Sequence, residues 1–290
     1  MRRALANEVQ QKMLHLPEIR QNLEAMPSCP LPADMPSARK ALNLHELARF
    51  ICLSASGKDW QQDLPDAHEI RREMQAAAEA CKPLFEYFSV EGNRRYTILF
   101  LCDADGGFVF DMAMLHSLIR MGHRVICSVK AGFYFFSPTM DDLQDDPVLE
   151  PWLRDACVLH DGQISKNDLL QHLREHRLVL ISDGTRERLN LYRVSVTFSR
   201  AWKEADLIIG KGWRQADILL GTSHQFTRDV ICYWKDSAGL HITLRKHAAK
   251  ARKFSEGDIA AQSDAIIREM RLARTQGRSV MFYSCIIGSI

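Results

Sequence analysis

A run of apolar residues, Thr97-Ile-Leu-Phe-Leu-Cys102, ends abruptly at Asp103; Ala104, Asp105, Gly106 and Gly107 follow, and Asp111 stands four residues further on. Two acids separated by one residue at the end of a buried strand form an oxygen ligand set suited to Mg²⁺ or Mn²⁺. The glycines let backbone approach a ligand closely. A polar turn capping a following helix has the same composition, because acids are favourable at a helix N-terminus. Two further apolar runs end in residues that can do chemistry. Leu178-Val-Leu-Ile181 leads into Ser182-Asp183-Gly184-Thr185, whose hydroxyls and amides suit phosphate oxygens, although an ordinary Asp-Gly turn accounts for the same residues. Ala205-Asp-Leu-Ile-Ile-Gly210 leads into Lys211-Gly212, a compact ammonium in uncrowded surroundings, with a solvated lysine as the alternative.

These three ends belong to a wider alternation of elements. From Tyr96 onward, β-branched apolar runs alternate with helix-like segments. Strands are expected at 97–102, 124–129, 156–158, 178–181, 207–209, 230–234 and 279–283, and helices at 108–121, 166–174, 194–204 and 258–274. The rhythm predicts an α/β fold, a three-layer sandwich with a mainly parallel sheet. Residues 1–92 read as a helical N-terminal subdomain and residues 93–290 as the α/β core. In the first region, Leu44, Leu47, Ala48 and Ile51 sit at helical spacing behind Asn43 as an N-cap, and 67–88 reads as one longer helix. Pro30, Pro32 and Pro36 mark a loop between helical pieces. The final segment, Ser279 to Ile290, reads as a strand entering a loop, so the chain is expected to be packed in the core there or to be truncated.

Parallel strands bring their carboxyl ends to one edge of the sheet, where loops distant in sequence meet. Asp103, the Ser182–Thr185 loop and Lys211 are therefore expected to line one cavity. A cation on Asp103 and Asp105, and an anion on Ser182, Asp183, Gly184, Thr185, Lys211 and Gly212, would outline a phosphoryl-transfer site with Asp103 and Lys211 as catalytic groups. The Phe133-Tyr134-Phe135-Phe136 cluster reads as core or pocket lining. His116 and His123 have no third ligand at metal spacing.

The bulk numbers exclude other classes. Thirty-eight basic against 36 acidic residues leave a formal charge of +2, so no large field points to nucleic acid or an anionic membrane. No apolar run is long enough to cross a bilayer, and the N-terminus has no apolar signal core, so a cytoplasmic setting is expected. Eight cysteines, none in a CxxC pair, predict reduced and mostly buried thiols and no zinc site built from cysteines. Dinucleotide, Walker and nucleophile-elbow motifs are absent.

In this order the segments resemble the metal-dependent damage-control phosphatase family, once catalogued as domain of unknown function 89. Asp103-Ala-Asp-Gly-Gly107 with Asp111 stands at the family's Asp-Asn-x-Gly-Glu motif. Val129-Lys-Ala-Gly132 and Phe136-Ser-Pro-Thr-Met-Asp-Asp142 follow, then Ile181-Ser-Asp-Gly-Thr185, then Ala205-Asp-Leu-Ile-Ile-Gly-Lys-Gly212, close to the family's Ala-Asp-Leu-Ile-Ile-Ala-Lys-Gly. The resemblance implies a phosphatase acting on small phosphorylated metabolites with a divalent metal (Mg, Mn, Co or Ni). It places Asp103 at the first metal position, with Ala104 and Ser137 at the other two. The family's Gly-Asn-aromatic-Glu becomes Arg214-Gln-Ala-Asp217. Three functions follow as alternatives. One is a divergent metal-dependent phosphatase. Another is a catalytically impaired relative that binds a phosphorylated ligand or a protein partner without metal. The last is a haloacid-dehalogenase-type phosphatase using Asp103 as nucleophile and the acid two residues on as proton donor.

Overall fold

The structure, a computed structural model, describes residues 2–20, 35–77, 80–90, 94–103, 106–162, 164–222 and 226–247. The strand and helix expected near 279–283 and 258–274, together with Pro30, Pro32, Ala104 and Asp105, lie outside the described residues.

Five helices come first: α1 (Arg2–Leu14), α2 (Pro17–Arg20), α3 (Met35–Ser56), α4 (Ala67–Ala77) and α5 (Lys82–Val90). Asn43 is not an N-cap. It lies inside α3, which starts eight residues earlier and takes Pro36 into its first turn, where the missing N–H costs nothing. The single helix expected over 67–88 is two helices. Pro83 has no N–H to donate, so a helix can restart around it but not run through it.

The α/β part runs β1 (Thr97–Leu101), α6 (Phe108–Arg120), β2 (Arg124–Val129), a 3₁₀ turn (Asp141–Leu143), α7 (Glu150–Leu153), β3 (Cys157–Leu159), α8 (Lys166–Glu175), β4 (Leu178–Ser182), α9 (Val196–Glu204), β5 (Leu207–Lys211), α10 (Trp213–Leu220), β6 (Asp229–Asp236) and β7 (Gly239–Arg245). The sheet has seven strands in the order β3-β4-β2-β1-β5-β6-β7. All neighbours are parallel except β6 and β7, which form an antiparallel hairpin.

The pleat sends alternate side chains to opposite faces. Ile98, Phe100, Val125 and Cys127 join one core with Met13, Leu47, Ile51 and residues of α6. Leu99, Leu101, Ile126, Val179 and Ile208 join the other with Leu169, Leu173, Phe198 and Leu219 from α8, α9 and α10. The three-layer α/β sandwich with a mainly parallel sheet is thus present, and the N-terminal helices share a core with one face of it. Strand β7 was not expected: its residues are half-buried and polar-rich, so its pattern is weaker than that of the buried parallel strands.

Candidate functional site

The chain leaves β1 toward β2 on one side, and β5 later adds to the other side of β1. That reversal of strand order opens a crevice at the carboxyl ends of β1 and β5, the place where open α/β sheets bind ligands. Asp103 follows β1 and Gly212 follows β5. Gly212 has φ +87°, and a Cβ there would sit 1.4 Å from Asp103 Oδ2. The carboxylate of Asp103 is therefore seated on the Gly212 Cα, a fit that only glycine allows.

A two-lobed cleft opens at this point. Cys102, Lys130, Ser137, Leu189 and Gln215 line both lobes. The inner lobe adds Ser128, Asp183 and Phe198; the outer lobe adds Asp103, Tyr134, Arg188 and Arg214. Each lobe has space for about one water-sized group.

Gln215 in α10 donates from Nε2 to Cys102 O at 3.0 Å, which fixes its amide orientation. Its Oε1 is buried and accepts no hydrogen bond among the described residues. Ser137 is 2% exposed and Asp103 is 4% exposed. A carboxylate, a hydroxyl and an amide oxygen thus share one small cavity, and the amide oxygen lacks a donor. This set suits a hard divalent cation of the Mg²⁺ type, which takes one or two carboxylates and completes its shell with water and substrate phosphate. Besides Lys130, the outer lobe carries the cationic side chains of Arg188 and Arg214, which favour an anion there. Arg188 pairs with Asp217, and the Arg214 guanidinium lies 5.9 Å from the ring centres of both Phe135 and Trp213.

Asp103 and Asp183 are brought into the cleft, but the other expected phosphate ligands are engaged elsewhere. Lys211 does not reach the lobes. Its ammonium donates to Gly106 O at 2.6 Å and to the two Asp111 oxygens at 2.8 and 3.0 Å, which uses all three of its hydrogens. It ties Gly106 to Asp111 of α6 instead of facing an anion. Ser54 donates to Asp111 as well and shares a 2.8 Å hydrogen bond with Tyr233 Oη, so α3 is tied to the sheet through this buried group. Burial pushes the Asp111 carboxyl up, and Lys211 and Ser54 pull it back.

The Ser182–Thr185 loop also satisfies itself. Ser182 Oγ accepts from the Gly184 amide at 2.8 Å, and Asp183 Oδ1 accepts from the Thr185 amide at 2.8 Å. Those amides are therefore not aimed at an anion. Lys130 donates to Asp183 Oδ2 at 2.6 Å, to Glu187 O at 2.6 Å and to Thr185 Oγ1 at 3.1 Å. Burial pushes the Asp183 carboxyl up and Lys130 opposes it. The single shared cavity expected for residues 103, 182–185 and 211 is consequently a cleft with Asp103 and Asp183 in its lining, while both lysines brace the loops around it.

The residues that sequence reasoning missed are Lys130, Arg188, Arg214 and Gln215. Lys130 had a signal inside Val129-Lys-Ala-Gly132, and Arg214 and Gln215 had one as the residues that follow Lys211-Gly212, whereas Arg188 had none. The phenylalanines of the 133–136 cluster are not core: Phe133 and Phe135 are 78% and 60% exposed, and only Tyr134 lines the cleft. The haloacid-dehalogenase reading needs an acidic pair after the lysine, whereas Asp141-Asp142 precede Lys211, and Asp142 accepts from Arg3 and from the Thr139 hydroxyl and amide.

The damage-control phosphatase ARMT1-like domain matches residues 5–240. The chain belongs to this family. As an ARMT1-like domain it carries the helical region and the sheet within one matched unit. A solved DUF89 family protein from Pyrococcus horikoshii is similar to this ARMT1-like chain at 18% identity and a TM-score of 0.47, over 81% of this chain and 66% of that one. The chain thus spans less than two thirds of that relative's length. No curated protein sequence matches the ARMT1-like chain. Among the described residues, no helix is long and apolar enough to cross a membrane.

Proposed function

We propose that this chain is a metal-assisted phosphatase that takes small phosphorylated metabolites at the cleft over Asp103. The observation that carries the reading is the convergence of Asp103, Ser137 and Gln215 on one cavity that Arg188 and Arg214 also line, with the Gln215 amide oxygen lacking a donor among the described residues. These three residues would hold the divalent cation, whether Mg²⁺, Mn²⁺, Co²⁺ or Ni²⁺, and the cation, when bound, supplies charge neutralisation on the phosphoryl oxygens. The chain's own groups do the rest. Gly212 fixes the Asp103 carboxylate. Lys211 holds the Gly106 carbonyl in place. Arg188 and Arg214 orient the phosphate dianion by charge-assisted hydrogen bonds. Exposed Phe135 and Trp213 offer apolar contact to the remainder of the ester.

Because only one carboxylate lines the outer lobe among the described residues, these residues would hold a cation weakly without oxygens from substrate phosphate. Metal affinity should therefore rise in the presence of a non-hydrolysed phosphate ester. The test is hydrolysis of a phosphomonoester panel with each of the four metals. Turnover that appears with metal and disappears on chelation supports the reading, and no turnover with any metal rejects it.

A second reading, a metal-free binder of phosphorylated ligands or a protein partner, is favoured by Ser137 standing where the family has an acid. Calorimetry separates the two: ester binding unchanged by chelator supports the binder, and binding that requires metal rejects it.

A further inference from the structure

At the β3 side of the sheet, Cys157, His172 and His176 meet. Cys157 opens β3, the edge strand, and pairs with Val179 near the start of β4, roughly 13 Å along the strands from the carboxyl end that carries the cleft. The two histidines are four residues apart on the last turn of α8 and its C-cap, so they project on one side of the helix. Their rings stack at 5.2 Å with an interplanar angle of 23°. Cys157 Sγ lies 3.6 Å from His172 Nδ1, and one ligand atom from each of the three residues falls within 4.8 Å of the others. All three side chains are half-buried, so an ion can enter and a water can complete the shell.

The Cys157–His172 distance matches a particular chemistry. Zinc binds thiolate sulfur at about 2.3 Å and imidazole nitrogen at about 2.0–2.1 Å, which in a tetrahedron separates the two ligand atoms by about 3.6 Å. One thiolate and two imidazoles form a soft N/S set, which selects zinc and its neighbours over the hard cations that suit the Asp103 cleft.

The geometry points to a zinc-type cation site made by Cys157, His172 and His176, with a water in the fourth position, that staples the short edge strand β3 to the end of α8. The site is separate from the cleft and does not depend on the phosphatase reading. Zinc held there stabilises the fold by mass action, since the unfolded chain does not hold the three ligands together.

Cobalt reports on such a site by spectrum. The whole chain, stripped with chelator and kept reduced, is titrated with Co²⁺ and then with Zn²⁺. One equivalent should produce a near-ultraviolet thiolate-to-cobalt charge-transfer band that zinc removes, and zinc should raise the melting temperature. Cys157→Ser should abolish the band. Should that variant misfold, His172→Asn and His176→Asn serve instead, each weakening zinc binding at least about tenfold through loss of one of three ligands while the circular dichroism stays native. No charge-transfer band even with cobalt in excess over both sites, a band that survives in Cys157→Ser, or zinc affinity unchanged in both histidine variants would overturn the site.

Discussion

Lys211 and Asp111 are 3% and 1% exposed, and the ammonium has three acceptors around it. Removing one partner of such a buried pair leaves the other charge uncompensated. Lys211→Ala is therefore expected to destabilise the fold by about 3–5 kcal/mol, read from the denaturant midpoint. An undisturbed midpoint with a raised KM would instead return Lys211 to the role of phosphate anchor. Gln215 behaves differently. Its Nε2 makes one hydrogen bond and its Oε1 makes none among the described residues. Gln215→Leu should cost about 1–3 kcal/mol, because it takes its donor away from the buried Cys102 carbonyl. The same change should abolish stimulation by metal, and stimulation equal to the parent chain would remove Gln215 from the ligand set. The sequence showed which strand ends carry polar groups. It did not show which partners those groups choose, because Lys211 and Lys130 look identical as letters, and only the fold reveals that Asp111 and Asp183 stand beside them.

Element boundaries were more legible. The buried parallel strands are short apolar runs bounded by polar residues, and β2 spans the expected 124–129. The hairpin strand β7 and the break between α4 and α5 were missed, for reasons of weak amphipathic contrast and a proline inside a helix-forming run. The loop between β5 and α10 decides most for the site. Gly212 has φ +87° and ψ 154°, a region closed to side chains, and packs its Cα under Asp103. Gly212→Ala is expected to cost about 1–3 kcal/mol in backbone strain and to displace Asp103 from the cleft. Activity should then fall at least as far as in Asp103→Ala, measured as kcat/KM on the best ester. Retention of full activity in Gly212→Ala would show that the Asp103 seat is unimportant.

The molecule as a whole is held together by one core running from α1 through α6 to β6 and a second beneath α8–α10. His123 sits at the end of the first core, between Phe88 and Tyr96, and its Nδ1 accepts from the Tyr96 amide at 3.2 Å. Burial lowers its pKa from 6.5 to about 4. The unfolded chain therefore takes up this proton first as pH falls, so stability is complete above about pH 6.5 and declines until about pH 4. The decline attributable to His123 is about 3 kcal/mol, and His123→Gln, which keeps an acceptor but does not titrate, should flatten it in pH-dependent denaturation. An identical slope in that variant would assign the effect to another group. Neither this burial nor the sharing of a core between the N-terminal helices and the sheet can be read from local patterns, since both arise from contacts between residues distant in sequence. The cleft where β1 and β5 part is tested most directly by metal-stimulated phosphomonoester hydrolysis by the whole chain and by Asp103→Ala, with and without chelator. The parent chain should turn over substrate, chelator should remove that turnover, and the variant should lose at least about a hundredfold of it, on the scale of a lost transition-state electrostatic contact. Turnover equal in both chains, or none in the parent with any of the four metals, would contradict the phosphatase reading.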